Sequence, residues 1–188
     1  MAFGLEDHFE DLPEGYRHTF LIRHPYKVFA SYERMTNRGT KDESKKIPLI
    51  YQPECLMPKG KFFKEIYDLY LYVKKNIEPN PIIIDTDDLL ENPSGTMKAY
   101  CDAIGIAYSD DLLSWKPGRE CLDEMWMAAK EMILVQDSGN LHMETFESTG
   151  FGKPSKCPER SELLEDVVTF SDLSMKYYEE MYENRLKC

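Results

Sequence analysis

Arg23 stands where a short apolar run stops. In "HTFLIRHPYKVFAS" it is flanked by His24 and, five residues earlier, His18, and Ser31 follows eight residues later. A guanidinium offers a planar fork that can donate two parallel hydrogen bonds to a phosphate or carboxylate. Pro25 suits the first turn of a helix, so the stretch predicts a strand ending at Arg23 and a helix opening directly after it. Free N–H groups and the positive dipole end of that helix would then join the guanidinium in favouring an anion. Ser31, on the same helix, could add a hydroxyl donor. In parallel α/β sheets, ligands gather at the carboxyl ends of strands. The plainer alternative pairs Arg23 with an acidic neighbour at the strand end, and these residues alone leave both open.

Other chemistry-bearing residues form weaker patterns. The four histidines (8, 18, 24, 142) have no HxxxH or HExxH spacing, so no metal site is expected. Five cysteines (55, 101, 121, 157, 188), with no CxxC, predict free thiols in a reducing, cytoplasmic setting. Tyr67, Tyr70, Tyr177, Tyr178 and Tyr182 recur at helical spacing and read as packing residues. Trp115 and Trp126 read as core residues that could also border a pocket.

The formal charge of −11 argues against nucleic acid as a partner. The charge is uneven, because residues 16–46 carry eight Lys/Arg (17, 23, 27, 34, 38, 41, 45, 46) against three acids (33, 42, 43). A basic island in an acidic chain suits a small anionic ligand, or is a solvated helix face beside a charged loop. No apolar run reaches the roughly 20 residues of a membrane span. The acidic start "MAFGLEDHFEDLPEG" does not resemble a secretory signal.

The elements that must position Arg23 follow from periodicity. "HTFLI" predicts a strand and "PYKVFASYERM" a helix. Residues 36–60 predict a long loop that could act as a lid. "KFFKEIYDLYLYVKKNI" is an amphipathic helix, and "IIID" is a continuous apolar run of the kind buried on both faces of a parallel sheet. A helix is predicted from about Pro93 to Gly105, another over "RECLDEMWMAAKEMILV", and one long or two short helices over "SELLEDVVTFSDLSMKYYEEMYENRL". With 188 residues, one domain over 1–188 is expected. The alternation predicts an α/β class with an incomplete three-layer parallel sheet.

Two of these stretches together resemble the sulfotransferase family. "TFLIRHPYKVFASY" resembles its strand–Arg–x7–Ser–helix unit, which holds the 3′-phosphate of PAPS (3′-phosphoadenosine 5′-phosphosulfate). "IIIDTDDLLENPSGTMKAYCDAIGI" is similar to the family's strand–(Y-E-D-L)–x–x–x–P–helix segment through Asp87, Asp88, Leu89, Pro93 and Gly105. Thr86 stands where many relatives carry a Tyr that contacts adenine. "ESTGFGKPSK", with Ser148, Gly150, Gly152 and Lys153, is similar in place to the late Gly-rich loop that closes over the 3′-phosphate. The resemblance implies a P-loop-type fold and transfer of a sulfuryl group from PAPS to a small hydroxyl or amine acceptor, without a metal. It implies Arg23, Ser31, Thr86, Gly150, Gly152 and Lys153 as cofactor-binding residues. His8, upstream of the strand, is the candidate general base.

One part of the pattern has no counterpart. No GxxxxGK[ST] or PKSGT-like stretch precedes residue 20. The sequence therefore predicts a domain that starts inside the family pattern, without the first strand and its phosphate-binding loop. Two readings follow: a PAPS-dependent enzyme, or a non-catalytic nucleotide-binding or interaction domain that dimerises through an exposed sheet edge. A nucleotide-kinase-like phosphoryl transferase is a weaker third, since no Walker A motif is present.

Overall fold

The computed structural model describes residues 9, 12–38, 40, 42, 45–52, 62–118 and 147–188. Two strands, β1 (Thr19–Ile22) and β2 (Ile82–Asp85), pair in parallel, with Ile22 opposite Asp85. A parallel pair needs a long crossover, and here it contains helices α1 (Pro25–Thr36) and α2 (Phe62–Asn76). After β2 come α3 (Thr86–Glu91) and α4 (Pro93–Ile104), and the chain ends in α5 (Glu165–Glu183). Short 3-10 turns lie at Leu49–Tyr51, Asp110–Leu113 and Arg160–Glu162. The class is mixed α/β, as the strand–helix alternation predicts, and among the described residues the sheet has two strands.

The core forms where α1, α2 and α5 cover the sheet. Phe20 and Ile22 alternate inward along β1, and Ile82 and Ile83 are buried on β2. They meet Phe29 of α1, Phe63, Tyr70 and Val73 of α2, and Val167, Phe170, Tyr178 and Met181 of α5. The α5 residues recur at three- and four-residue steps, which puts them on one face. Ser171 and Ser174 are also buried there, and their hydroxyls donate to the carbonyls of Val167 and Phe170 one turn back. Leu49, from the predicted 36–60 loop, is 1% exposed and belongs to the same core. The rest of that loop lies only partly within the described residues.

The long terminal segment resolves into one helix, α5, preceded by the Arg160–Glu162 turn. A helix does open at Pro93, where the Asn92 side chain accepts from the Gly95 N–H. It stops at Gly105, whose left-handed backbone (φ 79°) suits a residue without a Cβ. The six-residue α3 was not distinguished in sequence, because Asp85 starts it by a local cap and not by apolar periodicity. The predicted helix over residues 119–135 lies outside the described residues. At the sheet margins, the Leu186 N–H donates to the Ile83 carbonyl at 2.8 Å. β1 has no second strand neighbour among the described residues, and Leu21 on it is 60% exposed.

Candidate functional site

Both strands end in a turn that leads into a helix, and the register puts the two turns side by side. At the end of β2, Asp85 is 1% exposed and fully engaged. Its Oδ1 accepts from the backbone N–H groups of Asp87 (2.8 Å) and Asp88 (3.3 Å), and its Oδ2 accepts from the Tyr178 hydroxyl at 3.1 Å. Burial pushes the Asp85 pKa up, against the pull of these donors. The Tyr178 hydroxyl is pushed up as well, first by burial and then by the Asp85 charge. Thr86, next in line, donates its hydroxyl to the Ile22 carbonyl at 2.8 Å and so ties the two strand tips together.

The end of β1 is different. His24 occupies the N-cap position of α1, but no side chain caps that helix. The Arg23 guanidinium reaches toward Ser155, with Nη2 to Oγ at 3.5 Å, the outer limit of a hydrogen bond. Its Nε is buried and has no hydrogen-bond partner among the described residues. A buried unpaired donor is costly and uncommon, and an anion there would satisfy it. His24 packs its ring against Tyr26 and Tyr178, and its Nδ1 lies 3.6 Å from Cys157 Sγ. Burial chiefly lowers the His24 pKa, with Asp87 opposing, and burial raises that of the Cys157 thiol.

Lys27, in the first turn of α1, is 7% exposed. Its Nζ donates to Asp87 Oδ2 at 2.6 Å and to the Ser155 backbone carbonyl. One ammonium thus joins α1, the start of α3 and the segment after Gly152. Among the described residues, no group of His, Cys, Asp and Glu side chains could hold a metal ion.

The sequence-predicted residues meet this geometry unevenly. Arg23 is at the strand tip, and Ser31 lies two turns along α1, half-buried. The Gly-containing segment does reach the tip of β1, but through Ser155 and Cys157 and not through the predicted glycines and lysine. Gly150 forms an isolated bridge with Ser114, and a Cβ on it would come within 2.8 Å of the Leu113 carbonyl. Close backbone approach accounts for that glycine. Trp115 Nε1 donates to Ser148 Oγ at 3.0 Å and its ring meets Phe151 edge-on, fixing the start of the segment. Gly152 and Lys153 are exposed. Thr86 has its hydroxyl committed to the Ile22 carbonyl. His8, Trp126 and His142 lie outside the described residues.

Sequence reasoning did not single out Lys27, Ser155, Cys157 or the Asp85–Tyr178 pair as members of one site. A lysine in the basic island is indistinguishable in sequence from its solvated neighbours. Its burial depends on residues 60 and 128 positions away.

A family model of the sulfotransferase domain matches residues 76–177, more than half of the chain. The match takes in β2, α3, α4 and the Gly150–Cys157 segment, and begins after β1 and α1. Among curated proteins, the chain is 26% identical over 156 residues to branched-chain-amino-acid aminotransferase-like protein 1 of Arabidopsis thaliana, covering 83% of this chain and 22% of that protein. It is 26% identical over 140 residues to sulfotransferase ppzF of Metarhizium majus, covering 70% of this chain and 37% of that protein. The corresponding ppzF of Metarhizium rileyi is 28% identical over 142 residues, with the same coverage. The chain therefore spans well under half the length of these relatives. No solved structure matches. The matched domain contains one of the two adjacent strand tips and the segment that folds onto the other, and on that match the chain belongs to the sulfotransferase family.

Proposed function

We propose that this chain takes a sulfuryl group from PAPS and passes it to a hydroxyl or amine of a small acceptor. The observation that carries this reading is the buried, unpartnered Nε of Arg23 at the carboxyl end of β1, beside a helix start that no side chain caps. A phosphate dianion fits such a place, because it accepts from a guanidinium fork and is favoured by the positive end of the helix dipole. The Ser155 hydroxyl, 3.5 Å from Arg23 Nη2, and the exposed Lys153 close by in sequence add a donor and a charge. Ser31 is a second hydroxyl on the same helix.

In this reading Arg23 holds the 3′-phosphate and fixes the nucleotide on the sheet edge. PAPS supplies a sulfuryl group, whose sulfur gains a bond to the acceptor oxygen or nitrogen while its bond to the phosphate oxygen breaks and leaves PAP (adenosine 3′,5′-bisphosphate). The acceptor proton must pass to a base, for which His8 is the sequence candidate. His24, wedged between two tyrosines and Cys157, serves the packing of the site. Since the relatives are far longer than this chain, the aminotransferase part of one relative's name is not carried over.

Isothermal titration calorimetry with PAP tests the reading. Wild-type chain binds PAP, and Arg23→Ala weakens that binding by about a hundredfold, the scale of two charge-assisted hydrogen bonds. Equal affinity of the two proteins removes Arg23 from the site, and no binding to either overturns the reading. A second reading, an interaction domain, is favoured by the strand edge of β1 and its exposed Leu21. It requires a concentration-dependent dimer by light scattering, weakened by Leu21→Lys.

A further inference from the structure

Lys27 is a charge that the fold has taken out of water. A lysine is rarely so buried unless its ammonium is paired, and here it has two partners on different parts of the chain. Asp87, at the start of α3, supplies the counter-charge. The carbonyl of Ser155 supplies a neutral acceptor on a stretch without regular structure between Phe151 and Glu159. That stretch has few other anchors at the β1 tip. The Arg23–Ser155 contact is 3.5 Å long, and the His24–Cys157 contact is a 3.6 Å sulfur–nitrogen approach. Only the Lys27 bond grips the backbone of the segment among these three.

We propose that Lys27 is a positioning residue, which holds the segment carrying Ser155 at a fixed height over Arg23 and so shapes the anion site. It does not touch the anion itself. Its charge is already matched by Asp87, so its contribution is geometric: Asp87 orients the ammonium, and the ammonium sets the backbone of residues 155–157. The same pairing keeps the Asp87 carboxylate from facing the anion as a bare negative charge. The proposal rests on the reading of the β1 tip as the PAP site for its consequence, but the staple itself does not depend on that reading.

The experiment compares wild type with Lys27→Met, Asp87→Asn and the double variant Lys27→Met/Asp87→Asn. Two readouts are taken: the rate of limited tryptic cleavage after Lys156, and PAP affinity by calorimetry. Lys27→Met removes both bonds while keeping the length of the side chain. It is expected to be cut faster after Lys156, with the same thermal unfolding as wild type apart from the lost bonds, and to bind PAP about tenfold more weakly. Asp87→Asn leaves the lysine in place with a weaker partner and is expected to lose about threefold in affinity. It supplies the decision if Lys27→Met does not fold. The double variant should stay as weak as Lys27→Met, because the missing element is the grip on Ser155.

Recovery of wild-type affinity in the double variant would mean that Lys27 acts only by cancelling the Asp87 charge, and the positioning role would be overturned. Unchanged tryptic cleavage after Lys156 in folded Lys27→Met would overturn it equally, and so would, where Lys27→Met does not fold, an Asp87→Asn that binds PAP as tightly as wild type or more tightly. If wild type itself fails to bind PAP, the functional reading falls. The cleavage rates then still decide whether Lys27 staples the segment.

Discussion

At the tip of β2 a carboxylate starts the next helix, while at the tip of β1 the next helix starts with no side-chain cap. Asp85 accepts two backbone N–H groups of α3 and the Tyr178 hydroxyl, so the turn is closed from within. Arg23 adds a buried Nε without a partner among the described residues, beside a helix start where Pro25 has no N–H and the Lys27 and Val28 N–H groups donate to the His24 carbonyl. The two turns are adjacent in the sheet and face the same α5, yet among the described residues the buried atom left without a partner is a carboxylate oxygen, Asp87 Oδ1, at one and a guanidinium N–H, Arg23 Nε, at the other. An unmet buried donor favours an anion, whereas an unmet carboxylate oxygen repels one. Thr86 joins them, since its hydroxyl closes onto the β1 backbone and leaves the Arg23 side chain uninvolved.

The sharpest way to break this contrast is to damage the closed turn. Asp85→Ala removes the cap of α3 and strands the buried Tyr178 hydroxyl, and should cost about 3 kcal/mol in urea denaturation. A loss below about 1 kcal/mol would mean that the turn is held by other contacts. Thr86→Val is isosteric and deletes one hydrogen bond, so a cost of about 1 kcal/mol is expected. Its PAP affinity should match wild type; a fall in affinity would place the Thr86 hydroxyl on the nucleotide.

The smallest effect concerns pH. His24 has its pKa lowered from 6.5 by burial, so below that value the unfolded chain takes up a proton that the folded chain resists. Stability is thus full above pH 6.5 and falls as the pH drops through the lowered folded value. His24→Gln should flatten this part of the melting-temperature profile between about pH 7 and 5. An identical slope in both proteins would assign the acid sensitivity to other groups.

Much of the frame was legible because it is written in local pattern. The apolar run ending at Arg23, the proline after it and the continuous "IIID" fixed two strands and the helix between the first strand and its loop. Pro93 and Gly105 marked the limits of α4 through backbone preferences that act residue by residue. The site was legible in part. Arg23 stood out, and the Gly-containing segment was expected near it. Which residues of that segment arrive was not legible, since Ser155 and Cys157 carry no motif and Gly150 is explained by its contact with Leu113.

By itself the sequence determined the mixed α/β class, the basic strand tip and the resemblance to sulfotransferases that the domain match bears out. Tertiary structure alone decided that Asp85 is spent on its own helix, that Thr86 is tied to Ile22, and that Lys27 is buried between Asp87 and Ser155. The physical reason is range. Helix and strand preferences are settled within a few residues, whereas the burial and pairing of a charge depend on which distant segments the packing brings to it.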